Sequence, residues 1–412
     1  MWRRYRIVLF IALGAVAVRL IAINQPFIDE WSWRQSDVAA IARNYFANGF
    51  RFAYPQIDWG GDATGYVGTE FPILPFAAAT IYKLAGVREW VGRGESVLFF
   101  AIGLPFFFLL VRDVFDKRVS VWAAFFYSFA PLSIAASRAF MPDIPSLSLA
   151  IIGLYFFLHW LEAQRRSFFF ISALVISAAL LIKIPTALIG APLFCFAWQR
   201  FGRATFTQPW LWLFAVIALV PSVLWYWHAH QIATRFYPHH FFGAGGFTIE
   251  NPSWYARIAR QTAVSSLTIP LTVLALGGMF VLPQSKYRFA FHWWLAAMLI
   301  FIVAAGWGNR HQWYQLPLVP IAAVFAGCAC EWIARRPGVR RMLADASIVA
   351  IFLGAAFFGT RPFLRPAATS LRDVGLLLKR TAPPGALLIA ADDGDPTIFY
   401  YAERKGWHFL EN

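Results

Sequence analysis

Long apolar runs separated by short polar loops dominate the sequence. A helix needs about 20 apolar residues to cross the hydrocarbon core of a bilayer, and runs close to this length recur from one end of the chain to the other. The pattern predicts an all-α polytopic membrane protein with about eleven spans. The predicted spans are 7–23, 95–111, 119–136, 144–161, 167–182, 184–199, 210–228, 263–282, 289–305, 314–333 and 342–360.

One more apolar segment, residues 72–86, decides the orientation of every later span. It contains Pro72, Pro75 and Lys83, which favours a helix in the membrane interface over a span. With this assignment, every loop rich in Lys and Arg falls on the inner side, as the positive-inside rule requires. We therefore predict that the N-terminus is cytoplasmic and the C-terminus outside. The membrane expected is a bacterial inner membrane. The basic residues of the inner loops are Arg3, Arg4, Arg6, Arg112, Lys117, Arg118, Arg165, Arg166, Arg200, Arg203, Lys286, Arg288, Arg335, Arg336, Arg340 and Arg341.

The parts of the chain outside the spans predict two further structures. Residues 24–94 form a long first outer loop, in which residues 33–48 read as an amphipathic helix on the membrane surface. Its two faces are Val38, Ile41, Tyr45 and Phe46 against Arg34, Asp37, Arg43 and Asn44. After a transmembrane domain of residues 1–360, residues 361–412 predict a small α/β tail on the outer face. The tail would contain a strand at 386–391, a helix at 396–403 and a strand at 407–410.

Composition excludes a soluble protein and a nucleic-acid binder. Hydrophobic residues make up 59% of the chain and charged residues only 14%, and the mean hydropathy is +0.56. The net charge of +15 arises from Lys and Arg spread over short loops, which suits membrane orientation and anionic lipid. Cys195, Cys328 and Cys330 lie inside apolar segments with no zinc spacing, so we expect buried thiols without disulfides.

Two acidic positions stand out at the membrane edge. Asp29 and Glu30 follow the first span directly, and ionised groups at this depth are costly unless they face a cavity or a partner. The alternative is a helix cap, because Asp and Glu suit a first helical turn. Asp143 follows Arg138 in the second outer loop, and it is likewise either a helix N-cap or a site residue.

Cationic side chains on the same side are candidates for an anionic ligand. Lys183 stands between two spans, where it either snorkels to the surface or binds an anionic head group. Arg310, next to His311, could hold phosphate through its forked geometry. Arg235 lies in an aromatic-rich outer loop, residues 229–261, that reads as a mobile cover for a substrate. The run Gly243-Ala244-Gly245-Gly246 in that loop reads as a flexible linker, and its histidines match no zinc pattern.

These stretches together resemble a known family. They are Asp29-Glu30, Gly68-Thr69-Glu70-Phe71-Pro72, Ser137-Arg138 to Pro142-Asp143, Lys183, and Arg310-His311-Gln312-Trp313-Tyr314-Gln315-Leu316-Pro317. The chain resembles the polyprenyl-phosphate-sugar-dependent transferases of glycosyltransferase family 39, which contains protein O-mannosyltransferases and the lipid A aminoarabinose transferase within the GT-C fold. The resemblance implies a GT-C-like bundle.

The resemblance also implies roles for individual residues. Asp29 would be the catalytic acidic residue with Glu30 beside it, Asp143 the acid of the second loop, and Glu70 a substrate contact, with Arg235 as a further candidate. Many relatives carry a Lys after the glutamate that matches Glu70, where this chain has Phe71. Binding of the donor phosphate would therefore fall to Arg138, Lys183, Arg310 and His311.

The chemistry expected is transfer of a sugar from a polyprenyl-phosphate donor to a hydroxyl of a lipid, polysaccharide or protein on the outer face. A carboxylate near the acceptor, Asp29 in this hypothesis, would act as general base, and cations would stabilise the leaving phosphate. The sequence leaves open whether a divalent cation assists Asp29 or bridges Asp29 and Asp143.

Two other functions remain open at this stage. A secondary transporter would use Asp29 and Asp143 as a proton or ion relay, although these charges lie in outer loops and no inverted repeat is visible. A non-catalytic lipid-binding scaffold would predict dispensable carboxylates and essential basic residues.

Overall fold

The computed structural model describes residues 6–242 and 246–409. Among the residues used in the sequence predictions, Arg3, Arg4, Gly243, Ala244, Gly245 and Leu410 lie outside these ranges. The described chain is mainly helical, with one two-stranded sheet. Its α-helices up to the last predicted span are α1 (Arg6–Leu20), α2 (Ser32–Asn48), α3 (Ile73–Ala85), α4 (Glu89–Val114), α5 (Lys117–Phe129), α6 (Pro131–Ala136), α7 (Asp143–Ala163), α8 (Arg166–Ile182), α9 (Gly190–Phe201), α10 (Pro209–Arg235), α11 (Pro252–Gln261), α12 (Ile269–Gly278), α13 (Ala290–Ala305), α14 (Leu318–Ala334) and α15 (Arg341–Leu364).

Short helical segments of other types join several of these helices. Segments of 3₁₀-helix run over Ile184–Ile189, Gly202–Thr207, Gly306–Asn309 and Gln312–Gln315, and a π-helical turn covers Thr262–Leu267. By length and composition, six helical stretches of the described chain can cross a membrane, and a pair bent by 105° at residue 268 is a seventh candidate. The prediction of an all-α polytopic membrane protein is confirmed.

Two predicted spans are interrupted for local reasons. The run 119–136 breaks between α5 and α6 at Ala130, whose backbone is extended (φ −62°, ψ 137°) because the ring of the following Pro131 disfavours a helical conformation there. The run 263–282 breaks at Thr268, where φ is +88° and the π-helical turn meets α12. Hydropathy alone does not reveal either break.

Close helix contacts hold the bundle together. A Cβ added at Gly103 of α4 would lie 2.8 Å from the side chain of Ser148 on α7. A Cβ added at Gly278 of α12 would lie 1.7 Å from the carbonyl oxygen of Phe325 on α14. Small residues allow helix backbones to approach in this way where lipid supplies no hydrophobic drive between helices. Around α5, α7 and α14, the core is apolar and rich in Phe.

The first outer loop contains two helices in the predicted places. With 13 residues, α3 is about 20 Å long, which is too short for the roughly 30 Å hydrocarbon core and agrees with the interfacial assignment. The predicted polar face of α2 is buried instead of facing water. Arg34 pairs with Glu70, and the Asp37 carboxylate accepts a hydrogen bond from Trp59 Nε1 at 2.9 Å.

The chain after α15 folds as the predicted strand, helix and strand. It forms α16 (Thr369–Thr381), β1 (Leu388–Ala390), α17 (Thr397–Ala402) and β2 (Gly406–His408), and the two strands pair in parallel. This tail packs against α2 and its flanking loops. The Tyr401 hydroxyl accepts a hydrogen bond from the Phe27 amide at 2.7 Å, and the Gly61 amide donates to the Gly406 carbonyl at 2.7 Å. The tail thereby covers part of the polar face of α2.

Candidate active site

Two adjoining cavities lie where α8 and α13 end and α7 and α14 begin. They share Glu70, Lys183, Gly308 and Tyr314. The first, here called the polar cavity, has a volume of about 290 Å³ and is also lined by Trp33, Arg34, His240, Phe241, Phe242, Arg310, His311 and Trp313. The second, the apolar cavity, has a volume of about 300 Å³ and is also lined by Ile184, Pro185, Tyr226, Gly246, Phe247, Phe301 and Ala305.

A buried ion pair joins α2 to the loop before α3. Arg34 Nη2 donates to both carboxylate oxygens of Glu70, at 2.7 and 2.8 Å, and the Thr69 hydroxyl donates to Oε2 at 2.9 Å. Burial alone would raise the pKa of Glu70, but the charges of Arg34 and Lys183 outweigh it and lower that pKa below its usual value. Glu70 is therefore ionised at neutral pH.

A second ion pair lies beside the first. Lys183 Nζ is 2.5 Å from Asp143 Oδ1 and 4.7 Å from the centre of the Tyr314 ring. Asp143 is the first residue of α7 and its side chain bonds to Lys183, so the alternative of Asp143 as N-cap is wrong: Pro142 occupies that position. The other oxygen, Oδ2, is buried without a hydrogen-bond partner in the described ranges.

The polar cavity is lined by unpaired donors and neutral histidines. Arg34 Nη1 is buried and has no hydrogen-bond partner among the described residues, and the exposed Arg310 has no carboxylate partner there. Burial, reinforced by nearby cations, lowers the pKa of His311 to about 4, and burial followed by the Arg34 charge lowers that of His240 to about 4. With both imidazoles uncharged and the two ion pairs neutral, Arg310 makes the site net positive.

Asp29 faces a charged partner and not a cavity. Its Oδ2 pairs with Arg93 Nη2 of α4 at 2.9 Å, and its Oδ1 accepts from Gln35 Nε2 of α2 at 2.6 Å. Gln35 in turn accepts a hydrogen bond from the Phe140 amide at 3.2 Å. Asp29 lines neither of the two cavities. Glu30 beside it is exposed, with no ion-pair partner in the described part of the chain.

Arg138 and Arg235 also lie away from the cavities. Arg138 is buried, and its Nη2 donates to the carbonyl oxygens of Ile21 and Ala22 after α1, at 3.0 and 2.9 Å. Arg235 is exposed at the end of α10, with its guanidinium 5.5 Å from the Phe236 ring. The structure therefore brings Lys183, Arg310, His311 and Glu70 together, and it places Arg138 and Arg235, two further predicted substrate contacts, outside both cavities.

Sequence reasoning missed several residues of this region. Arg34 was recognised only as part of the polar face of a surface helix, and Trp33 was not singled out for chemistry. His240 was considered only as a metal ligand, because it is one of the histidines of the loop 229–261. Arg93, the partner of Asp29, lies inside the predicted outer loop near the start of α4. The one available signal was the number of charges on an interfacial helix, because buried charges are retained only when they have partners.

The carboxylates do not fit a shared metal site. Asp29 and Asp143 each have a separate cationic partner, Arg93 and Lys183, and no group of three or more metal-ligating His, Cys, Asp or Glu side chains occurs among the described residues. A bridging cation would have to displace two ammonium or guanidinium groups. No direct hydrogen bond joins Asp29 to Asp143 among the described residues.

Comparison with known proteins bears on the fold and the family. Residues 69–227, less than half of the chain, match the model of the dolichyl-phosphate-mannose-protein mannosyltransferase family. No curated protein sequence matches the chain. Among solved structures, the chain is similar to ArnT from Cupriavidus metallidurans bound to undecaprenyl phosphate, with 15% identity, a TM-score of 0.75, and coverage of 98% of this chain and 86% of ArnT.

The archaeal oligosaccharyltransferase AglB from Archaeoglobus fulgidus is similar as well. In its complex with an inhibitory peptide and a dolichol-phosphate, the identity is 13% and the TM-score 0.63, and the match covers 98% of this chain but only 64% of AglB. At these identities the structural likeness concerns the fold, and the family match adds an independent sequence signal. The chain has the GT-C fold of membrane glycosyltransferases, and the predicted resemblance to that superfamily is confirmed.

Proposed function

We propose that this protein transfers a sugar from a polyprenyl-phosphate donor to a hydroxyl acceptor at the outer face of a bacterial inner membrane. The observation that carries the proposal is the junction of the polar and apolar cavities at Glu70, Lys183 and Tyr314. A polyprenyl-phosphate sugar is polar at one end and apolar at the other, so it needs this kind of paired site. That ArnT and AglB are described with undecaprenyl phosphate and dolichol-phosphate supports the same class of donor.

The donor phosphate belongs between the cations at this junction. Within the described ranges, Arg34 Nη1 has no hydrogen-bond partner and Arg310 has no carboxylate partner, and Lys183 lines both cavities. Hydrogen bonds between guanidinium and phosphate are charge-assisted and strong in a dry site. The first prenyl units would then lie in the apolar cavity, against Tyr226 and Phe301.

Glu70 is the carboxylate best placed to act as general base. It lines both cavities, is ionised at neutral pH and keeps its orientation through Arg34. In the proposed step the acceptor oxygen bonds to the anomeric carbon, its proton passes to Glu70, and the bond from that carbon to the phosphate oxygen breaks. Polyprenyl phosphate leaves with the electron pair, stabilised by Arg34, Lys183 and Arg310.

The other predicted acids act through neighbouring groups in this proposal. Asp143 holds Lys183 in place, and Asp29 is a positioning residue that ties α2 to α4 through Gln35 and Arg93. The orientation, with the cytoplasmic N-terminus and the cavities outside, rests on the basic residues of the predicted inner loops. Glu30, Arg138 and Arg235 have no assigned step.

The proposal is tested by transfer of radiolabelled sugar from a panel of polyprenyl-phosphate sugars in membranes that contain the protein. Glu70→Gln should reduce transfer by about 100-fold or more, because a positioned general base contributes roughly 10²- to 10⁴-fold. The matched control is Asp62→Asn, which changes an exposed carboxylate in the same loop. This variant should transfer normally. Absence of transfer from every donor, or equal transfer by the two variants, would overturn the proposal.

A further inference from the structure

Three aromatic rings form one wall of the polar cavity. His311 stacks on Trp313 with ring centres 4.4 Å apart and planes 6° from parallel. Trp33, on α2, lies 5.4 Å from His311 and 5.7 Å from Trp313. Behind them, the Trp31 ring packs edge-on against Trp313 at 5.6 Å. We call Trp33, His311 and Trp313 the aromatic seat.

The position of these rings differs from that of membrane-anchoring aromatics. Trp313 is 4% exposed, and Trp33 and His311 are half-buried, yet all three line the polar cavity. Trp307, six residues before Trp313, is 55% exposed and lines neither cavity. Interfacial anchoring therefore explains Trp307 but does not explain why three rings are held beside paired charges.

The seat offers an uncharged, apolar surface. Because the pKa of His311 is lowered to about 4, its imidazole is neutral at physiological pH and the stacked pair presents no positive charge. Flat aromatic faces combine a large apolar contact area with few rotatable bonds. The C–H face of a pyranose or furanose ring is the part of a glycosyl donor that matches such a surface, because its hydroxyls remain free for polar partners.

The charges around the seat limit which sugar fits. Glu70 is the sole carboxylate lining the polar cavity within the described ranges, and Arg34 already balances its charge. The cationic side chains that line the cavity are Arg34, Lys183 and Arg310. An ammonium group on the sugar would meet like charges without a free carboxylate, and such juxtapositions discriminate against a ligand strongly.

From the geometry we infer that Trp33, His311 and Trp313 seat the transferred sugar, and that this sugar carries no free amino group. The inference rests on the proposed function, since it assumes a polyprenyl-phosphate sugar in the polar cavity. It adds the substrate class and the residues that select it. Trp33 and His311 come from distant parts of the chain, so the seat exists only when α2 is docked against the 3₁₀-helix Gln312–Gln315.

The test uses the full chain in lipid nanodiscs and three probes: undecaprenyl phosphate without sugar, undecaprenyl-phosphate hexose and undecaprenyl-phosphate aminopentose. Trp33→Leu should raise the KM for the hexose donor about fivefold, which corresponds to loss of an aromatic contact of roughly 1 kcal/mol. The affinity of this variant for undecaprenyl phosphate should stay within about twofold of that of the unaltered protein. Trp227→Leu, an exposed tryptophan on α10, is the control, and His311→Gln is the second variant.

Each outcome separates the two proposals. Hexose transfer by the unaltered protein with little or no aminopentose transfer supports the inference. Equal transfer of both sugars overturns it, as does a Trp33→Leu variant that loses affinity for the bare lipid phosphate and for the hexose donor alike. Failure of the unaltered protein to bind undecaprenyl phosphate would instead overturn the proposed function.

Discussion

Arg34 of α2 and Glu70 of the loop before α3 are 36 residues apart in the chain, yet Arg34 Nη2 contacts both carboxylate oxygens, at 2.7 and 2.8 Å. This bond fixes α2 against Glu70, which lines both cavities. It also leaves Arg34 Nη1 free within the described structure. One residue thus orients the proposed base and offers a donor to the proposed phosphate.

Removing only one member of the Arg34–Glu70 pair should destabilise the protein. Both side chains are largely buried, with exposures of 8% and 14%, so Arg34→Met leaves a buried carboxylate without its partner and should cost about 3–5 kcal/mol. Arg34→Met/Glu70→Met should recover much of this loss but should not recover transfer. Thermal unfolding of the purified protein checks the prediction, and additive losses in the double variant would contradict it.

Two variants distinguish a positioning role of Asp29 from a catalytic one. Asp29→Asn alone should lower the unfolding temperature and transfer together, because Arg93 is fully buried and loses its counter-ion. The double variant Asp29→Asn/Arg93→Met removes both charges, and we expect it to regain stability and a large part of the transfer rate. A stable double variant with no transfer would return Asp29 to the role of base.

Arg310 should affect donor binding without affecting the fold. It is exposed and lines the polar cavity, so Arg310→Gln should leave the unfolding temperature unchanged. Loss of a charge-assisted hydrogen bond worth about 1.5–3 kcal/mol should weaken binding of undecaprenyl phosphate by roughly 10- to 100-fold. Arg257→Gln, which removes an exposed charge of α11, serves as the control in the same binding assay. Equal affinities would exclude Arg310 from the phosphate site.

Asp37 should make stability depend on pH. Burial raises its pKa to about 7, against the lowering effects of the Trp59 hydrogen bond and the Arg34 charge. In the unfolded chain the pKa is about 3.9. Between these values the folded state binds more protons, so stability should fall as pH rises from about 4 to 7, by on the order of a few kcal/mol in total.

The matched variants isolate this contribution. Asp37→Asn should flatten the change in unfolding temperature between pH 5 and pH 8, whereas the exposed Asp62→Asn should retain it. An unchanged profile in Asp37→Asn would assign the pH dependence to another group. Because Trp59 also contacts His408 at 5.3 Å, loosening of the tail from α2 should accompany the loss of stability at high pH.

The local sequence pattern was sufficient to predict much of the architecture. The length and hydropathy of the apolar runs predicted an all-α membrane protein, and the short length of α3 agrees with its assignment to the interface. The strand, helix and strand of the tail lie within the predicted ranges, apart from the first residue of β2. These features depend on neighbouring residues, because transfer to lipid and backbone hydrogen bonding act over short stretches of chain.

The charge partners were decided only by the tertiary structure. Asp29 and Arg93 are 64 residues apart, and Lys183 and Asp143 are 40 apart. Sequence placed Glu70, Lys183, Arg310 and His311 on one side of the protein, but it could not assign Arg34 to Glu70 or remove Asp29 from the cavity. A buried charge can be satisfied by any partner that the fold brings near, and no local propensity specifies which one.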